Sequence, residues 1–279
     1  MNRIVILMAG SVAALIGLFV LLAEKDGNNS SEKSITLYCA ASNRAVMESI
    51  RSEYENEFGR SVNIQYGPSQ TLLSSIEVTE QGDLYLPADD SYLKLGRDKD
   101  LIAETLEIAK MQAVIAVAKG NPKSIHTLDD LLRDDVRLVM ADPASAAVGK
   151  VVREKLQDTG QWQALDGATK AYRATVTEVA NDIAIGSADA GLVYDAVLHT
   201  YPDLTYVEVP ELTEAESRIS VGVIASTKHP SDALHFARYV SSIDRGLQHY
   251  RDQGFRVSGG DQWSDKPELS IFAGSMLRP

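Results

Sequence analysis

The chain has 279 residues, 44% of them apolar and 24% charged, enough for one large domain or two lobes with well-buried cores. Its formal charge of −12 excludes the basic face that a nucleic-acid partner would need. A single cysteine, Cys39, excludes an intramolecular disulfide, a CxxC pair and a cysteine zinc site.

The N-terminus reads as a leader. Arg3 precedes an uncharged apolar run, residues 4–23, and a polar tether follows over residues 24–31. A run of about 20 residues spans a bilayer, whereas signal-peptide cores are roughly 7–15. Cleavage after Ala23 would put Leu21 where a small residue is preferred. Residues 1–33 are therefore read as an anchor in preference to a cleaved signal, with the remainder exported in either case. Cys39 does not directly follow the leader, as a lipidated cysteine should, and reads as a small buried apolar residue.

A unit then occurs twice: an apolar strand, a serine at its end, and an amphipathic helix. The first copy runs over residues 35–41 to Ser42 and into a helix opening near Asn43. The second runs over residues 62–68 to Ser69 and into a helix opening near Gln70. Each serine is expected at or beside an N-cap, where free N–H groups and the positive end of the helix dipole converge. Two such ends could hold a small anion with no charged side chain. Taken singly, however, a serine before a helix is more often a cap alone.

Val46, Met47, Ile50, Tyr54 and Phe58 share one face of the first helix, and Leu72, Leu73 and Ile76 give the second its apolar side. Residues 83–86 form a short strand stopped by Pro87. Residues 113–118 form an almost purely apolar strand; Thr127 is expected to cap a helix holding Leu128, Leu131 and Leu132. Another buried strand, residues 137–140, ends at Asp142-Pro143, with helices expected over 148–156 and 177–185. Residues 191–194 and 221–225 read as strands, and one last helix carries Ala233, Phe236, Ala237, Tyr239 and Val240 and ends before Gly254-Phe255. Alternating strands and helices imply α/β lobes with parallel sheets. The five histidines lack zinc spacing, and no GxSxG elbow, P-loop or GxGxxG occurs, so no enzyme is expected.

Five fragments occur in an order that identifies a family. They are Ala40-Ala41-Ser42; Gly67-Pro68-Ser69-Gln70-Thr71-Leu72; the run from Gly82 through Pro87-Ala88-Asp89; Gly186-Ser187-Ala188-Asp189-Ala190-Gly191-Leu192-Val193-Tyr194; and Tyr250 through Gly254-Phe255. Residues 34–256 thereby resemble the periplasmic molybdate-binding proteins of ABC importers, type II periplasmic binding proteins. The resemblance implies an α/β, two-lobed fold with a ligand cleft between lobes. Lobe 1 would comprise residues 34–112 and 221–257, lobe 2 residues 113–220, with 258–279 an extension.

It also implies an oxyanion held by the hydroxyls of Ser42, Ser69 and Tyr194 and the backbone N–H groups of Val148 and Val176. Without the resemblance, Tyr194 reads as a strand-end core residue. Molybdate or tungstate would be the ligand, an ABC permease the partner, and the protein a monomer without cofactor. Departures from the family pattern are Asn43 for an apolar residue, Pro87 for a serine, and Ala147-Val148-Gly149 for a Pro-Ala-Gly turn. A membrane-tethered anion sensor or partner-binding module on the same fold is the alternative, favoured by the anchor and the tail. Within that tail, residues 269–278 match residues 35–44 in residue class, as a truncated second copy would.

Overall fold

In the computed structural model, residues 34–264 are described. The leader, the tether and residues 265–279 lie outside the described residues, and with them the anchor and truncated-copy readings.

Strand β1 (Ile35–Ala40) leads through a 3₁₀ turn (Ala41–Asn43) into helix α1 (Arg44–Phe58). Strand β2 (Val62–Gly67) leads into α2 (Ser69–Thr79), and β3 (Leu84–Leu86) into α3 (Ser91–Asp98). These strands lie parallel in the order β2-β1-β3. The expected faces are the buried ones: Val46, Met47, Ile50 and Tyr54 on α1, and Leu72, Leu73 and Ile76 on α2.

The next strand, β4 (Ile102–Ala118), is far longer than the apolar run at 113–118. Its first part, through Gln112, pairs antiparallel with β9 (Glu216–Ile224); from Ala113 onward it pairs with β7 (Ala190–Tyr194) and β8 (Leu204–Val207). Register shifts between Ile102 and Glu104 and between Glu107 and Ala109 break the two-residue alternation, which is why residues 102–112 do not read as a strand. Beyond β4, strands β5 (Leu138–Ala141) and β6 (Ala171–Arg173) extend the sheet parallel to β7.

The sheet is thus mixed, not parallel throughout: two parallel triplets joined through the antiparallel strands β4 and β9. Helices α4 (Ala147–Gln157), α5 (Gln161–Ala168) and α6 (Val176–Ala184) accompany the second triplet. The expected last helix divides into α7 (Pro230–Ser241) and α8 (Gly246–Asp252), because Ser242 turns to extended geometry and its hydroxyl donates back to the Arg238 carbonyl at 2.6 Å. The short strand β10 (Arg256–Val257) then returns to β4.

The stretch after Thr127 forms only a 3₁₀ turn, Asp129–Leu132. Thr127 and Asp130 exchange hydrogen bonds there, and three leucines within five residues do not sustain a longer apolar face. The C-terminal segment is pinned by Trp263. Its ring meets those of Phe58, His235 and Tyr239 edge-on at 4.9–5.8 Å, and its backbone N–H donates to the Asp244 carboxylate at 2.7 Å.

Candidate functional site

One cavity gathers the carboxyl ends of six strands, the end of an α/β sheet where ligands bind. Ala40 ends β1, and Ala41 and Ser42 follow it; Gly67 ends β2, and Pro68 and Ser69 follow it; Ala88 follows β3; Ala146, Ala147 and Val148 follow β5; Thr175 and Val176 follow β6; and Tyr194 ends β7. All five residues singled out in the sequence, Ser42, Ser69, Val148, Val176 and Tyr194, are among the thirteen that line it. Its volume, counted as the space open to the centre of a water-sized sphere, is about 20 Å³.

Neither serine caps its helix. Ser42 lies inside the 3₁₀ turn before α1, and Ser69 is the first residue of α2; neither helix has a side-chain cap. Both serines are buried. Ser69 Oγ instead accepts the Ala88 N–H at 3.1 Å, and Ser42 Oγ accepts the Asn43 side-chain amide at 3.3 Å. With an acceptor site filled on each oxygen, each hydroxyl proton is left to donate elsewhere.

Asn43, conspicuous in the sequence as a departure without a role, is fully buried and supports the site. Its Oδ1 accepts the Tyr250 hydroxyl at 3.1 Å while its amide donates to Ser42. Tyr85 supports the other serine, its hydroxyl donating to the Ser69 carbonyl at 2.7 Å.

Val148 lies in the first turn of α4, whose N-terminus is buried: Ala146, Ala147 and Val148 are 4%, 3% and 1% exposed. No side chain caps this helix, and the N–H groups of Ala147 and Val148 have no acceptor among the described residues. A helix end buried in this way requires an outside acceptor. Gly149 lets it sit so close to β5, since a Cβ there would lie 2.3 Å from the Ala141 carbonyl oxygen.

Val176 opens α6, where Thr175 and Glu178 form a capping box: Thr175 Oγ1 accepts the Glu178 N–H at 3.3 Å, and Glu178 accepts the Thr175 N–H at 3.0 Å. The box occupies the third N–H of the helix and leaves that of Val176, a residue lining the cavity, without an acceptor among the described residues. The Thr-x-x-Glu spacing was a legible helix start, and it moves the expected start from 177 to Val176.

Tyr194 is fully buried, and its hydroxyl lies 2.6 Å from Ser217 Oγ, also fully buried. Burial holds the phenol well above its ordinary range, with the Asp89 carboxylate adding to the effect, so it stays a neutral donor. Ser217, on β9, carries no sequence signal.

The glycine-rich run before Tyr194 is scaffolding. Arg137 pairs with both oxygens of Asp189, at 2.7 and 3.0 Å, and also donates to the carbonyls of Gly186 and Ser187. Gly191 admits no side chain, because a Cβ would lie 2.7 Å from the Val139 carbonyl oxygen. Among the described residues no group of His, Cys, Asp or Glu could hold a metal ion.

No carboxylate, lysine, arginine or histidine lines the cavity. It presents hydroxyls and amide N–H groups from both parallel triplets, an arrangement suited to an anion that brings no proton of its own.

Known proteins carry the same architecture. The chain is 28% identical over 222 residues to the molybdate-binding protein ModA of Mycobacterium tuberculosis, covering 77% of this chain and 82% of that relative. The Azotobacter vinelandii periplasmic molybdate-binding protein superimposes with a TM-score of 0.69 at 14% identity, over 81% of this chain and all of that one. AfuA of Actinobacillus pleuropneumoniae, a periplasmic binding protein with fructose-6-phosphate bound, gives 0.70 at 14% identity, over 83% and 88% of the two chains. The fold is therefore the mixed α/β fold of periplasmic binding proteins, common to relatives with different ligands. The model of the bacterial extracellular solute-binding protein family matches residues 35–256, and the chain belongs to that family.

Proposed function

We propose that this chain is an extracytoplasmic receptor that captures a tetrahedral oxyanion, molybdate or tungstate, and delivers it to an ABC permease. The observation that carries the reading is the buried, uncapped N-terminus of α4, whose Ala147 and Val148 N–H groups point to an acceptor from outside the protein. Around it the hydroxyls of Ser42, Ser69 and Tyr194 and the N–H of Val176 supply further donors on the same cavity. No charged partner is needed, because helix-end dipoles and converging donors share the stabilisation.

Cavity size favours an inorganic ion over an organic phosphate. About 20 Å³ corresponds to a sphere about 1.7 Å in radius for the centres of water-sized atoms. The four oxygens of one tetrahedral ion fit such a space. The likeness to molybdate-binding relatives favours molybdate and tungstate, the larger dianions, over sulfate. Monohydrogen phosphate fits worst, since its proton would face donors only.

In this reading lobe 1 is residues 34–112 with 221–257, lobe 2 is residues 113–220, and the hinge lies where the chain crosses between them. Gln112–Ala113 is one crossing and the other falls within β9, at Ser220–Val221; ahead of it the Ala113 N–H donates to the Ala215 carbonyl at 2.9 Å. Closure brings donors from both sides onto the ion, with no chemical step. The receptor acts as a monomer, and the apolar run at 4–23 tethers it to the membrane of its permease.

Calorimetric titration with molybdate, tungstate, sulfate and phosphate tests the assignment. Molybdate and tungstate are expected to bind tightest, sulfate more weakly and phosphate worst. Phosphate binding tighter than molybdate overturns it.

A further inference from the structure

Two contacts run beside the cavity and join elements that belong to different halves of the sheet. On α4, Lys150 Nζ donates to Ser91 Oγ at 2.7 Å and lies 4.9 Å from the centroid of the Tyr92 ring. Ser91 and Tyr92 open α3, which follows β3 in the first triplet; α4 follows β5 in the second. Nearby, the Gln70 N–H in the first turn of α2 donates to the Ser145 carbonyl just before α4, at 3.1 Å.

The geometry points to Lys150 as a positioning residue that clamps the two halves closed over the cavity and so sets how slowly a bound anion escapes. The inference rests on the hinge proposed above. Lys150 is not a cavity-lining residue, and neither is Ser91, so neither acts by touching the ligand.

The ammonium has one more partner, Glu154 on its own helix at 3.9 Å, exposed and too distant to compete strongly. Tyr92 is buried, so its ring offers the ammonium a fixed face, and a cation against a desolvated ring is held more firmly than one in water. A hydrogen bond from a charged donor is also stronger than one between neutral groups. Both interactions are lost if the halves separate, whereas the pairs within each half survive. The clamp therefore acts on the closed state alone. It should slow dissociation and leave association almost untouched, because the ion enters before the clamp forms. A lysine acting by long-range attraction of the anion would do the opposite, raising the association rate in a salt-dependent way.

Stopped-flow kinetics with molybdate on the full-length protein separate the two. Lys150→Met is expected to raise the dissociation rate about 5- to 20-fold, less than the loss of a fully buried charge-assisted hydrogen bond because the ammonium is a quarter exposed, with association changed less than about twofold. Lys150→Arg should restore most of the lifetime, since a guanidinium can also donate to Ser91 and stack on Tyr92. Ser91→Ala should reproduce part of the effect, and adding it to Lys150→Met should cost little more.

Hydrogen exchange supplies a readout that does not depend on which anion binds. Lys150→Met should accelerate exchange at the Gln70 amide while β4 and β9 keep their protection. Unchanged dissociation, a loss confined to association, or unaltered Gln70 exchange with and without molybdate overturns the clamp. If the wild type fails to bind molybdate, the oxyanion assignment falls, and exchange at Gln70 still decides the clamp.

Discussion

Tyr194→Phe separates the site's contribution to binding from its contribution to folding. The phenol is fully buried, lines the cavity and shares a 2.6 Å hydrogen bond with the equally buried Ser217. If the phenol donates to a bound dianion, its removal deletes one hydrogen bond to a charged group, worth about 1.5–3 kcal/mol, and weakens binding about 10- to 100-fold. The same change strands the Ser217 hydroxyl. That loss is present with and without ligand, so it cancels in the dissociation constant and appears in unfolding, as about 1–3 kcal/mol. The double variant Tyr194→Phe with Ser217→Ala removes both polar partners, and replacing both members of a buried pair is nearly neutral. Denaturant unfolding of the anion-free protein should therefore show stability lost in the single variant and largely recovered in the double one. Calorimetry with molybdate should show the affinity lost in both. Recovery of affinity along with stability would mean that Tyr194 serves the fold and not the ligand. An unchanged affinity in the single variant would refute the donor role outright.

Ser42→Ala and Ser69→Ala should each weaken molybdate binding about 10- to 100-fold by calorimetry. Each should also cost about 1–3 kcal/mol of folding stability by denaturant unfolding, because neither serine caps a helix but Ser69→Ala strands the Ala88 N–H and Ser42→Ala strands the buried Asn43 amide. Alkaline pH should destabilise the fold. Burial raises the pKa of Tyr85, Tyr194 and Tyr250 well above that of an exposed tyrosine, so above about pH 10 the unfolded chain releases protons that the folded one keeps. The contribution is complete below the unfolded pKa and is lost as pH rises; thermal unfolding midpoints that stay level from about pH 8 to 11 would contradict it.

What the sequence disclosed divides along a physical line. Helix faces with a clean three-to-four spacing, such as Val46, Met47, Ile50 and Tyr54, were legible because one side of each helix packs on the sheet. The strand-end serines were legible because short loops between strand and helix keep their position in the chain equivalent to their position in space, whereas Tyr194 was singled out only by the resemblance and otherwise reads as a core residue. Residues 102–112 were not, since two irregularities in β4 shift the alternation that marks a strand. The expectation of parallel sheets failed for the same reason: β4 and β9 are the antiparallel seam between the triplets, and most of β4's share of that seam was invisible. Supporting residues were the least legible. Ser217 reaches Tyr194 from another strand, and Tyr250 reaches Asn43 from 207 positions along the chain.

Asn43 shows why a departure from a family pattern need not weaken a site. An apolar residue after Ser42 would leave the serine oxygen without the amide that now fills one acceptor position, and would leave the Tyr250 hydroxyl buried without its Oδ1 partner. The asparagine converts two isolated hydroxyls into a chain, Tyr250 to Asn43 to Ser42, each member donating to the next. A buried network of this kind is costly only when incomplete. Among the donors left over is the Ser42 proton, and it belongs to a residue that lines the cavity. In the proposed reading the network is completed by an acceptor in that space, and a dianion is the acceptor that the remaining donors of the cavity would also take. A chain with a formal charge of −12 gains nothing from long-range attraction of such an ion. Its selectivity has to come from donors already fixed in place, and Asn43 is one of the residues that fixes them.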